Sequence, residues 1–137
     1  MTETIHVDQF LPRPPAAVWR ALTEPDRLAR WWAAGDIAPV VGHTFTLDMG
    51  AWGAARCTVT EVEPERRLSY TFAESTMDWT LTWRLVAEGT GTRLFVEHAG
   101  FDLADPKHEQ AFRGMSRGWV GTVLPRLLRE LEQVSAP

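Results

Sequence analysis

Residues 112–134 read FRGMSRGWVGTVLPRLLRELEQV, and their pattern predicts one long amphipathic helix around which the rest of the chain can fold. Apolar residues recur every three or four positions, which places them on one face of a helix with 3.6 residues per turn. That stripe comprises Phe112, Met115, Trp119, Val123, Leu127, Leu131 and Val134. With a start near Pro106 the helix has about 25 residues and a length of roughly 37 Å.

Two features predict that this helix is irregular. Pro125 lies inside it, and its ring would clash with the carbonyl of Gly121, so we expect a kink there. Gly114, Gly118 and Gly121 each cost up to about 1 kcal/mol relative to alanine in a helix interior. They indicate either the close approach of another backbone or local flexibility.

Upstream of the helix, residues 43–100 follow a period of two, which indicates β-strands. The clearest strand runs through Met77, Trp79, Leu81, Trp83 and Leu85, which alternate with polar residues. Similar alternation occurs over 43–49, 55–62, 67–72 and 93–98. Short turns separate these runs, so we predict an antiparallel meander.

The first strand is predicted over residues 4–11 and is followed by two short helices. Pro14 and Pro15 suit the opening turn of one helix, and Pro25 suits that of the next. The sheet has an apolar face that must be covered, and only the final helix is long and apolar enough to cover it. We therefore predict an α+β fold in which a curved six-stranded antiparallel sheet wraps around the C-terminal helix.

Length and composition predict a single domain over residues 1–137. The chain has 14 basic and 18 acidic residues, a formal charge of −4. The basic residues are scattered, which argues against nucleic-acid binding. A lone cysteine, the lack of a leader-like start and the lack of a long apolar run lead us to expect a cytoplasmic protein without membrane insertion.

The sequence predicts no metal, no cofactor and no catalytic residue. The histidines, at positions 6, 43, 98 and 108, show no short paired spacing of the kind that zinc sites use. Cys57 lies in a predicted strand, where we expect it to act as a small buried hydrophobic residue. Neither a nucleophile elbow nor a phosphate-binding glycine loop is present.

Candidate cavity residues come from the side chains that face inward by spacing. Met115 and Trp119 lie on the helix stripe, and we expect Trp119 to face Trp79 or Trp83 across an apolar space. Tyr70 and His98 share the inward parity of their strands and are the available polar groups. Trp32 is expected at the mouth of the cavity, and Phe45 completes the set. For each of these residues, ordinary core packing is the alternative.

Several short motifs resemble one known family in order and spacing. They are 10–23 (FLPRPPAAVWRALT), 28–32 (LARWW), 62–68 (VEPERRL), 91–94 (GTRL), 98–101 (HAGF) and 118–119 (GW). Together they resemble the Hsp90-ATPase-activator-like branch of the START-like (SRPBCC) superfamily, over nearly the whole chain. The resemblance implies a helix-grip fold with a cavity between the sheet and the long helix.

Three functions are compatible with this resemblance. The first is non-enzymatic binding of a small, mostly apolar molecule in the cavity. The second is an enzyme of the cyclase or dehydratase type that START-like relatives contain. The third is a protein-interaction module, by analogy with the cochaperone that gives the family its name, although that protein carries a further N-terminal domain. A homodimer is left open.

Overall fold

The structure, a computed structural model, describes residues 2–134. The first strand, β1, is followed by helices α1 and α2, then by strands β2 to β6, and finally by helices α3 and α4, which a π-helical turn joins. Their bounds are β1 Glu3–Leu11, α1 Pro15–Thr23, α2 Pro25–Trp31, β2 Thr44–Asp48, β3 Ala54–Glu63, β4 Arg67–Phe72, β5 Trp79–Glu88, β6 Gly91–Phe101, α3 Pro106–Gly118, the π-helical turn Trp119–Val123 and α4 Leu124–Val134.

The six strands form one antiparallel sheet in the order β1-β6-β5-β4-β3-β2. Strands β2 to β6 are a meander, and β1 adds to its edge beside β6. The C-terminal helices lie on the inner side, where α3 contacts β6, and α4 contacts β1, α1 and α2. The predicted α+β helix-grip fold is therefore confirmed.

One strand begins later than its alternation predicts. Met77 was expected in β5, but the strand starts at Trp79. The backbone N–H groups of Thr76, Met77 and Asp78 all donate to the carbonyl of Ala73, which closes a tight turn. Asp78 also has a φ of 52°, which is outside the range of an extended strand.

The irregularity expected at Pro125 takes the form of the π-helical turn. The N–H of Leu124 donates to the carbonyl of Trp119 rather than to that of Val120. A π-helical turn inserts one extra residue into the helix, which shifts the residues after it around the axis. The C-terminal helix is thus divided at Trp119, six residues before the proline that cannot donate a helical hydrogen bond.

Candidate ligand-binding site

A cavity of about 150 Å³ lies between the inner face of the sheet and helix α3. Its wall combines aromatic, thioether, aliphatic and glycine residues from five parts of the chain. They are Trp32, Met49, Phe72, His98, Gly114, Met115, Gly118, Trp119 and Val123. None of these residues carries an oxygen in its side chain, and His98 is the one with an ionisable group. The cavity is therefore apolar with a single polar side chain that can titrate.

His98 reaches the cavity from the middle of β6. Its side chain follows Leu94 and Val96 on the inner face, and all three are buried. Its ring packs against four aromatic rings at centroid distances of 4.7 to 6.0 Å, those of Phe72, Trp79, Phe101 and Trp119. Burial among these rings lowers the pKa of His98 to about 3, so the imidazole is neutral at neutral pH.

One hydrogen bond fixes the tautomer of His98. The indole Nε1–H of Trp119 donates to Nδ1 of His98 at 3.2 Å. Because Nδ1 accepts this bond, the proton of the neutral ring is on Nε2. Nε2 is buried and has no hydrogen-bond partner in the described part of the chain. His98 therefore offers one unused N–H donor beside an apolar cavity.

Trp119 connects the helix to the sheet. It is the first residue of the π-helical turn and is 4% exposed. Its ring contacts those of Trp32 and Trp83 at 5.6 and 5.5 Å. The expected space between Trp119 and Trp83 is therefore absent, because the two rings pack directly edge to face. The cavity wall includes Trp119 but not Trp83.

The glycines of α3 leave room at the cavity wall. A Cβ atom built at Gly114, Gly118 or Gly121 meets nothing within 4 Å. Of the two explanations offered by the sequence, close approach of another backbone is therefore wrong for all three. Gly114 and Gly118 instead form part of the cavity wall, where the missing side chains keep volume free.

The structure places four of the predicted cavity residues at its wall, namely Trp32, His98, Met115 and Trp119. The other four, Phe45, Tyr70, Trp79 and Trp83, face inward as predicted but are absent from the wall and are buried in the core. The alternation along the strands correctly indicated that these four side chains are buried. Alternation alone, however, does not distinguish a side chain packed in the interior from one at the surface of a cavity.

Contacts among these core residues explain why they are enclosed. The hydroxyl of Tyr70 accepts a hydrogen bond from Nε1 of Trp83 at 3.0 Å, and Phe45 packs edge to face on Tyr70. Complete burial raises the pKa of the Tyr70 hydroxyl. Trp79 lies between Trp52 and Phe72, with which its ring stacks at 6.1 and 6.0 Å.

Five wall residues were not in the predicted set: Met49, Phe72, Gly114, Gly118 and Val123. Phe72 shares the inward parity of Tyr70, and Val123 lies on the helix stripe, so spacing alone could have included both. Met49 follows the end of β2 and continues the inward parity of Phe45 and Leu47, so the alternation over 43–49 could have included it as well.

A larger depression of about 640 Å³ lies on the surface around the β3–β4 turn. Its lining includes Glu63, Glu65, Arg66, Arg67 and Arg84, and it is open to solvent. Arg67 forms an ion pair with Glu61 at 2.8 Å, so one of the charged groups that line the depression already has a partner. The small cavity has the mostly apolar lining of ligand sites, and the surface depression does not.

Other chemistry has little support within residues 2–134. No group of three or more His, Cys, Asp or Glu side chains there is placed to hold a metal ion. Burial raises the pKa of the Cys57 thiol to about 12, so the thiolate needed for nucleophilic attack is not formed at neutral pH. Over the same residues, no helix combines the length and apolar character needed to cross a membrane.

Solved structures with the same fold include proteins of several bacteria. MLL2253 from Mesorhizobium loti is 33% identical, with 96% of each chain covered and a TM-score of 0.78. DynU16, a putative protein in the dynemicin biosynthetic locus, is 26% identical over 96% of this chain and 48% of its own, with a TM-score of 0.80. The Aha1 dimer from Colwellia psychrerythraea is 20% identical, covers 98% of this chain and 99% of its own, and has a TM-score of 0.82, a likeness that shows the fold alone.

No curated protein matches the sequence. The family model of Activator of Hsp90 ATPase homolog 1-like proteins, in contrast, matches residues 12–133. That range contains the two short helices, strands β2 to β6 and nearly all of the C-terminal helix. The sequence resemblance is thereby confirmed, and the chain belongs to the family of Activator of Hsp90 ATPase homolog 1-like proteins.

Proposed function

We propose that the protein binds a small, mostly apolar molecule in the cavity between the sheet and helix α3. The observation that carries this proposal is an apolar cavity of about 150 Å³ with one ionisable group, His98, on its wall. An apolar cavity of about this volume suffices for a molecule the size of benzene. Trp32, Phe72 and Trp119 supply flat apolar surfaces suited to such a molecule.

The cavity favours binding over catalysis. An enzyme of the cyclase or dehydratase type needs groups that donate and accept protons near neutral pH. The wall has one ionisable side chain, and the pKa of His98 is lowered to about 3 by burial, which makes it a poor general base. No carboxylate, hydroxyl or amine belongs to the wall residues as a second group.

The outer face of the sheet does not favour an interaction module. Such a module would present a continuous exposed apolar patch. The aromatic residues of this face instead lie beside cations: the guanidinium of Arg84 lies 4.2 Å from the ring centre of Phe95, and that of Arg93 lies 5.9 Å from that of Phe10, which is 37% exposed. Arg93 also pairs with Asp8 at 2.7 Å, which adds charge to the same surface.

The compartment and the assembly are part of the same proposal. A single buried, free cysteine at position 57 suits a reducing compartment, so we place the protein in the cytoplasm. The dimer in the Colwellia structure is a property of that protein, and we keep a homodimer of this chain as a proposal. Light scattering of the purified protein decides between one and two subunits.

Calorimetric titration with toluene tests the binding proposal. Toluene is neutral, has nearly the size of benzene and carries no hydrogen-bonding group. We expect saturable binding with one site per chain, and loss of that binding in Met115→Trp because the larger side chain fills the cavity. Gln110→Trp is the matched control, since it adds the same indole to an exposed position of α3.

The Gln110→Trp control determines how the toluene titration of Met115→Trp is interpreted. Binding to the wild type and to Gln110→Trp but not to folded Met115→Trp supports the cavity as the site. Absence of toluene binding to the folded wild type contradicts the proposal. Equal binding to both variants contradicts it too, because the ligand would then lie elsewhere.

A further inference from the structure

The region around His98 has more buried donors than acceptors. Three N–H groups meet there: Nε1 of Trp119, Nε1 of Trp79 and Nε2 of His98. The one acceptor used by them is Nδ1 of His98, which Trp119 occupies at 3.2 Å. Among buried side-chain nitrogen and oxygen atoms of residues 2–134, the other two are those without a partner. A buried polar group without a partner costs about 1–3 kcal/mol, so such groups are uncommon.

Of the two donors without a partner, one belongs to a residue of the cavity wall, His98, whereas Trp79 is not part of the wall. Burial lowers the pKa of His98 to about 3, so Nε2–H stays a neutral donor at neutral pH. The rings packed against it, those of Phe72, Trp79, Phe101 and Trp119, carry no charge. The wall itself carries no arginine, lysine, aspartate or glutamate.

We propose that the ligand of this cavity is a neutral molecule with a carbonyl oxygen, a ketone, ester or amide on an aromatic or other apolar body, and that Nε2–H of His98 donates to that oxygen. This inference rests on the proposed ligand binding and specifies its chemistry. Trp119 is the positioning residue, because its hydrogen bond to Nδ1 holds the proton of His98 on Nε2.

The wall composition selects a carbonyl over other oxygen groups. A hydroxyl or carboxylic acid brings a proton that needs an acceptor, and no wall side chain has an oxygen to supply one. A carboxylate brings a charge, and burying a charge without a counterion is far more costly than burying a carbonyl. A carbonyl needs one donor, which His98 has.

Three probes of nearly equal shape test this inference by calorimetric titration at pH 7. Acetophenone has the carbonyl, α-methylstyrene replaces that oxygen with a methylene group, and benzoate carries a charged carboxylate. We expect acetophenone to bind about tenfold or more tightly than α-methylstyrene, as expected for a hydrogen bond to an otherwise unpaired donor. We expect benzoate not to bind.

Variants of His98 show whether the preference arises there. His98→Leu removes the donor and is expected to bind the ketone and the alkene within about twofold of each other. His98→Gln keeps an N–H donor on a side chain of similar reach and is expected to recover part of the preference. His6→Gln changes an exposed histidine of β1 and should behave as the wild type.

The outcomes separate this inference from the proposed function. Equal binding of ketone and alkene by the wild type, or tighter binding of benzoate, overturns the carbonyl inference whether or not His98→Leu folds. If toluene binds but acetophenone does not, the cavity binds ligands and the carbonyl inference is wrong. If neither toluene nor any of the three probes binds, the proposed function itself is wrong.

Discussion

At the residue scale, His98 shows what residue spacing can predict about a side chain and what it cannot. The alternation of Leu94, Val96 and His98 predicted that the imidazole points inward, and it does. Its hydrogen bond to Trp119 could not be predicted, because it depends on how the helix sits on the sheet. The chemistry of the residue follows from that second fact, since the bond sets the tautomer and leaves Nε2–H unpaired.

The lowered pKa of His98 predicts a specific pH dependence of stability. Its pKa falls from 6.5 to about 3 on folding, so between these values the unfolded state binds the proton and the folded state does not. Stability is therefore complete above about pH 6.5 and decreases as the pH falls. Urea unfolding should show that His98 accounts for a loss of about 2 kcal/mol between pH 7 and pH 5.

Two variants isolate this contribution from that of the carboxylates. His98→Gln should lose about 2 kcal/mol less than the wild type over the same pH interval, whereas His6→Gln, at an exposed position, should lose as much as the wild type. If the wild type and His98→Gln lose stability equally, the imidazole is not buried as described.

At the element scale, the C-terminal helix was predicted as one unit but behaves as two. None of the residues of α3 is fully buried, whereas α4 inserts Leu124, Leu127 and Leu131 into the core. The π-helical turn lies between the halves. The hydrophobic stripe could not reveal this difference, because it records which residues are apolar and not how deeply each half is packed.

Hydrogen exchange of the backbone amides should separate the two halves. Segments with few buried apolar contacts open at lower free energy, so the amides of α3 should exchange faster than those of α4. Toluene should slow the exchange of α3, because a ligand under this helix adds contacts to it. Equal protection of both halves, or protection confined to α4, contradicts the description of α3 as the weakly packed cover of the cavity.

Glycine substitutions test the backbone of the same helix. Gly121 is exposed, has open space around it and has a φ that other residues adopt, so Gly121→Ala should raise the free energy of unfolding by about 0.5–1 kcal/mol. Gly42 is the matched control: it also has open space, but its φ is 91°. Gly42→Ala should therefore destabilise the protein in the same urea titration. Stabilisation by both changes, or by neither, shows that backbone conformation does not decide the effect.

At the scale of the whole molecule, the fold was predictable and the cavity only partly so. The period of two over residues 43–100, the change to 3.6 near Pro106 and the family motifs together specified sheet, helix and order. Which inward residues line free volume was not specified, because Trp83 on the sheet and Trp119 on the helix both point inward yet pack directly against each other. The free volume inside the fold depends on how residues that are distant in the sequence pack together, and the periodicity of the sequence contains no information about that packing.

A nuclear magnetic resonance titration tests whether a neutral apolar molecule occupies the cavity beside His98. Trp32 and Trp119 line the cavity, whereas Trp19 on α1 does not. With toluene added to the 15N-labelled protein, we expect saturable shifts of the indole N–H signals of Trp32 and Trp119 and an unchanged signal of Trp19. Unchanged Trp32 and Trp119 signals at toluene saturation, or equal shifts of all three, would contradict this expectation.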